Sequence, residues 1–166
     1  MYGTISLGVS VPDATFSGVR AESGSNGDFG LALGVQTSDY FRWDIAEIHY
    51  MNFAGTDLGF GTSRSNLSFG TTLNWGYFSP THHFHPFISL GIGPAILRYQ
   101  ATGTNAIDTD WAFEWNVGGG FEVQSSERFK TGIRYRYRAT NRNTASTPYS
   151  LDMHSVSLEL IFMGGP

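Results

Sequence analysis

The sequence predicts an all-β protein: an eight-stranded antiparallel up-and-down β-barrel that spans a membrane. Three observations lead there. Apolar and polar residues alternate with period two through most of the chain, short and long connections take turns between the strands, and the polar face is made of small residues. A half-buried strand produces such alternation, because successive side chains leave opposite faces. No segment carries a competing helical period.

The elements follow in order. In the first strand, about 2–11, Ile5, Leu7, Val9 and Val11 alternate with Ser6, Gly8 and Ser10. The second, 28–37, sets Phe29, Leu31, Leu33 and Val35 against Gly30, Ala32, Gly34 and Gln36. The third, 40–53, breaks the pattern: continuing Phe41, Trp43 and Ile45 would send Glu47 and His49 into lipid. A β-bulge near Ile45-Ala46 turns those two inward and returns Ile48 and Tyr50 to the outside. Strands at 66–78, 86–101, 110–124, 129–140 and 150–163 complete the set.

The connections are Ser38-Asp39, then Ser79 to His85, then Ser125 to Arg128 at one end. Those at the other end, 12–27, 54–65, 102–109 and 141–149, are longer and rich in Gly, Ser, Thr, Asn and Asp. Short periplasmic turns and long outer loops characterise outer-membrane barrels. An even strand count closes the sheet, which lipid demands because every backbone group must be paired.

Composition agrees. The chain has 166 residues, expected to form one domain over 1–166, with 40% hydrophobic, 15% aromatic and only 14% charged residues. Ordinary soluble domains carry about 25% charge. Lys130 is the sole lysine. A soluble lipocalin-type barrel would waste glycine on its exterior, whereas glycine inside a narrow barrel makes room. Tyr40, Phe41, Trp43, Trp75, Tyr77, Phe78, Trp111 and Tyr137 fall near strand ends, where membrane-interface aromatics belong. The net charge of -4 offers no footprint for nucleic acid. Without cysteine there is neither a disulfide nor a thiolate metal site. No apolar run is long enough for a transmembrane helix. The chain enters strand-like sequence at Tyr2, so an export signal is expected to have been removed.

With lipid outside, charges on the polar face enter the lumen. The expected lumen network is Arg42, Asp44, Glu47, Glu114, Glu122, Arg134, Arg136, Arg138 and Glu159. Buried charges must be paired, and the planar arginine fork can serve carboxylates from several strands. An ion-pair plug is favoured over a solute path, since eight strands leave an interior that side chains can fill.

Pro86 to Leu97 resembles the fifth strand of many small outer-membrane barrels, Gly118 to Val123 their sixth, and His154 to Phe162 their closing strand. Ser157 stands where glycine is common, and Met163-Gly-Gly-Pro166 follows Phe162 as a short tail or a tag remnant. The layout is similar to the transmembrane domain of the outer-membrane protein A family and, more distantly, to the lipid A 3-O-deacylase family. The deacylase resemblance implies a His-x-Ser-Asn stretch at the outer end of the seventh strand. Here that region reads Tyr135-Arg-Tyr-Arg-Ala-Thr-Asn141, so its catalytic histidine does not carry over. Without an imidazole base a hydroxyl stays unactivated.

Other sites are weaker. His82, His83 and His85 could together hold a divalent metal, but a solvated turn is the favoured reading. His154 reads as a rim residue, with Ser155 on the opposite face. No catalytic constellation, cofactor site or resident metal is expected. The expected partners are outer-membrane lipid and lipopolysaccharide, with an extracellular or outer-membrane protein partner reached through loops 12–27 and 141–149. A divergent lipid A hydrolase and a narrow channel are the alternatives.

Overall fold

The computed structural model describes residues 1–16, 19–21, 26–57, 60–101, 107–142 and 149–164. Among them every regular element is a strand: β1 (Tyr2–Phe16), β2 (Val19–Ala21), β3 (Asn26–Gln36), β4 (Phe41–Asp57), β5 (Phe60–Gly76), β6 (Phe84–Ala101), β7 (Ile107–Ser126), β8 (Phe129–Arg142) and β9 (Tyr149–Met163). Each long strand pairs antiparallel with the next, and β1 pairs with β9 from Tyr2↔Met163 to Phe16↔Tyr149. The sheet therefore closes on itself as an eight-stranded barrel. The short β2 folds back on the end of β1 through Ala14↔Ala21 and Phe16↔Val19.

The two faces separate as the period-two pattern requires. Leu7, Val9, Leu31, Leu90, Trp111 and Leu158 stand on the outside, and Ser6, Ser10, Ser89 and Ser157 are buried within. A wall apolar outside and polar inside suits hydrocarbon as the outer solvent. Among the described residues no helix is long and apolar enough to cross a membrane.

The expected bulge is present. Register slips between Leu33 and Gly34 on β3 and between Asp44 and Glu47 on β4, with Ile45 and Ala46 both outward. The Thr71 hydroxyl donates to the freed Asp44 carbonyl at 2.8 Å and accepts from the Trp43 indole at 2.5 Å. Two glycines permit close approaches. A Cβ at Gly30 would overlap the His49 ring, and one at Gly93 would overlap the Phe69 carbonyl of the neighbouring strand.

Two expectations are corrected. The long connections are largely strand: β4 runs to Asp57, β5 starts at Phe60, β6 reaches Ala101 and β7 begins at Ile107. Residues 17–18, 22–25, 58–59, 102–106 and 143–148 of the predicted loops lie outside the described residues. Phe78 is not an interface aromatic; it turns inward and is 1% exposed. It lies two residues past the end of β5 at Gly76, so strand alternation no longer governs its direction.

Candidate functional site: the charged lumen

Alternate residues of β4, β7, β8 and β9 bring the charges into one column. Arg42, Asp44, Glu47, Glu114, Glu122, Arg134, Arg136, Arg138 and Glu159 are all buried in the lumen. On β8 the arginines alternate with outward Ile133 and Tyr135.

The column is layered. Nearest the short turns, Arg42 Nη1 donates to both oxygens of Glu122, at 2.7 and 2.8 Å. The Arg42 guanidinium lies 4.2 Å from the Phe78 ring centre and 5.0 Å from that of Tyr2. Above it, Asp44 accepts hydrogen bonds from the Tyr2 hydroxyl and, at 2.8 Å, from Asn74. Arg134 sits between Asp44 (3.7 Å) and Glu159 (2.9 Å).

Higher again, Arg136 Nη1 meets Glu47 at 2.7 Å and His49 Nε2 at 2.6 Å. The other oxygen of Glu47 accepts from Thr72 at 2.6 Å, and His49 Nδ1 lies 3.2 Å from Asp28. In the outermost charged layer Arg138 donates to Glu114 at 3.1 Å and to Ser68 at 3.2 Å. Asn66 and Thr140 complete the Glu114 shell at 3.0 and 3.4 Å.

Over this column lies an apolar layer of Met51, Leu151 and Met153, with Leu97 packed against it. Between the Glu47 and Glu114 layers is a cavity of about 10 Å³, roughly the space one water needs. Pairing each guanidinium with carboxylates offsets a desolvation cost that would otherwise exclude charge from so narrow a core.

Several lumen residues were not singled out in the sequence. Tyr2, Asp28 and Lys130 are buried there as well. Asp28 and Lys130 stand in phase with their strands, so the alternation could have found them; Tyr2, at the edge of its strand, carries little phase.

The three turn histidines do not converge. His82 and His83 are exposed, whereas His85 is wholly buried, its Nδ1 2.9 Å from the Tyr77 carbonyl. No group of three metal-ligating side chains occurs among the described residues. His154 belongs to the outer wall, where its Nδ1 lies 2.7 Å from the Tyr135 hydroxyl and its ring 5.1 Å from that of Tyr137. Ser155 and Ser157 point into the lumen, on the far side of the wall.

Known structures share this architecture. Neisserial surface protein A superposes with a TM-score of 0.69 at 11% identity, with 96% of each chain covered. The outer membrane enzyme PagL gives 0.56 at 16% identity, covering 95% of this chain and 97% of its own. The attachment invasion locus protein Ail of Yersinia pestis, in complex with the heparin analogue sucrose octasulfate, gives 0.50 at 10%, covering 95% and 97%. At such identities the likeness is one of fold. A sequence comparison with curated proteins finds no match. The model of the outer membrane protein beta-barrel domain matches residues 1–162, so this chain belongs to that family and resides in the bacterial outer membrane.

Proposed function

We propose that this protein is a non-enzymatic barrel that binds an extracellular ligand or an outer-membrane partner through its outer crown, while a plugged lumen seals the wall. The observation that carries this reading is the filled interior: layered ion pairs capped by Met51, Leu151 and Met153. Among the described residues such a lumen leaves no path for a solute.

The strand lengths support the crown. A membrane crossing needs about 9–11 tilted residues, whereas β4 and β5 have 17 each, β6 has 18 and β7 has 20. At about 3.3 Å per residue and a tilt near 40°, β7 rises roughly 50 Å, twice the ~25 Å apolar band. The excess lies at the end opposite the short turns and raises two hairpins above the outer leaflet. Ail, similar in fold, forms a complex with the heparin analogue sucrose octasulfate, which supports a polyanion as the ligand class. Lipopolysaccharide, which surrounds such a crown, is the other candidate ligand.

A lipid A hydrolase is the second reading, because His154 with Tyr135 stands on the membrane face. It lies about eight residues above Phe162, roughly 20 Å up the wall and near the outer interface. Against it, Ser155 and Ser157 are separated from this imidazole by the barrel wall.

The test trims the β6–β7 hairpin by replacing residues 98–109 with Asn-Gly, which keeps the Leu97↔Asp110 register. Bacteria displaying the full chain should be retained on heparin- or lipopolysaccharide-coated surfaces, and the trimmed, correctly folded variant should lose that retention. Equal retention would overturn the crown. Loss of an acyl chain from lipid A by mass spectrometry would establish the hydrolase instead, and steady conductance in planar bilayers would remove the plug.

A further inference from the structure

The lipid-facing wall carries a polar group that the lumen network does not account for. His154 on β9 stands outward between exposed Tyr135 and half-buried Tyr137 of β8, whose ring centres lie 6.1 and 5.1 Å from its own. Trp115 on β7 extends the row, 5.5 Å from Tyr137. The Tyr135 hydroxyl holds Nδ1 at 2.7 Å. Among the described residues nothing in the protein engages Nε2, the other polar atom of this exposed ring.

The depth of the ring decides what its surroundings offer. His154 lies about eight residues above Phe162, roughly 20 Å up a ~25 Å apolar band. That is the level at which acyl chains join their carbonyls, and a carbonyl accepts hydrogen bonds but donates none. A neutral imidazole has one donor and one acceptor nitrogen, and its partners decide which is which. Both nitrogens are satisfied here when the Tyr135 hydroxyl donates to Nδ1 and Nε2–H donates to a lipid carbonyl. An N–H left unpaired at the edge of hydrocarbon would be costly.

The neighbours narrow the ligand. Asp152, two residues toward the outer end on the same face, sets a negative charge beside the headgroups, so a neutral carbonyl is favoured over a phosphate oxygen. Val11 is the cross-strand partner of His154 and Val9 that of Val156. All three valines are exposed and offer a small apolar surface for the attached acyl chain. We infer that His154, positioned by Tyr135, docks the acyl carbonyl of an outer-leaflet lipid, with the chain laid along β1 and β9. A phospholipid ester and the acyl groups of lipopolysaccharide both supply that carbonyl. Such docking needs neither a ligand on the crown nor cleavage of a bond.

Solid-state NMR of the full chain, refolded in phosphatidylcholine vesicles, measures the contact once histidine is isotope-labelled at its ring nitrogens and the lipid at its acyl carbonyls. One imidazole N–H signal should be dephased by the carbonyl label. The effect should vanish in His154→Phe, which keeps an aromatic ring against Tyr137. Tyr135→Phe, which frees the ring to exchange tautomers, should weaken it. Diether phosphatidylcholine supplies the same headgroup and chains without carbonyls. Moving from diester to diether vesicles should lower the folding constant of the parent about three- to tenfold more than that of His154→Phe. Unlabelled lipopolysaccharide that abolishes the dephasing assigns the site to glycolipid acyl groups, and undiminished dephasing assigns it to phospholipid. No dephasing in the parent, dephasing that survives His154→Phe, or equal diester-to-diether changes in parent and variant would each overturn the site.

Discussion

Arg136 and Glu47 offer the clearest measure of what the lumen network contributes. Their 2.7 Å contact is buried on both sides, at 4% and 6% side-chain exposure. Arg136→Met keeps a long apolar stem and deletes the charge. Glu47 is then left with Thr72 and His49, each at 2.6 Å. Removing one partner of a buried pair costs about 3–5 kcal/mol, because the remaining charge stays desolvated. Glu47→Gln should cost a similar amount by stranding Arg136. The double variant should recover part of the loss, with a coupling of roughly 0.5–3 kcal/mol, as expected for members of one network.

Urea unfolding from phosphocholine vesicles measures all four corners. Trp43, Trp75, Trp111 and Trp115 all stand on the lipid-facing wall, so tryptophan emission reports departure from the membrane. Arg136→Met within about 0.5 kcal/mol of the parent, or strictly additive single changes, would refute the network as a stabilising unit.

Two further predictions concern the wall. Deleting Ala46 removes the bulge and, because Ile45 and Ala46 both face outward, leaves strict alternation with Arg42, Asp44, Glu47 and His49 all still in the lumen. The deletion should therefore still fold, with the fast-migrating band kept on unheated gels; loss of that band would show that the bulge itself, with its Thr71 contacts to Trp43 and Asp44, is needed. Gly93→Ala forces a methyl against the Phe69 carbonyl on β5. It should lower the urea midpoint well below that of a control Gly27→Ala, where a Cβ meets nothing within 4 Å. Equal midpoints would show that the β5–β6 pair can give way.

Legibility in the sequence followed the solvent on each face. Over about 5–11, 28–36, 66–75, 87–97 and 111–123, lipid lay on one side and a polar lumen on the other. Period-two alternation therefore survived, and even the β4 bulge could be read from the misplaced Glu47 and His49. Beyond the membrane both faces of a hairpin can meet water, so nothing enforces alternation. The ends of β4 through β7 were accordingly taken for loops, although they continue as paired strands. Phe78 and Tyr2 were missed for a related reason: each sits at a strand margin, where phase no longer dictates direction.

The sequence by itself determined the closed, lipid-facing barrel, because a sheet in hydrocarbon must satisfy its own backbone and sort its side chains by face. It also determined which charges enter the lumen, since facing is a local, two-residue property. Which arginine meets which carboxylate was decided only by tertiary structure. Arg42 reaches Glu122 from the far side of the barrel, and Arg138 reaches Glu114 only through the β7–β8 register, Asn116↔Arg138. Those meetings depend on the stagger of eight strands around a closed ring, which no single strand encodes.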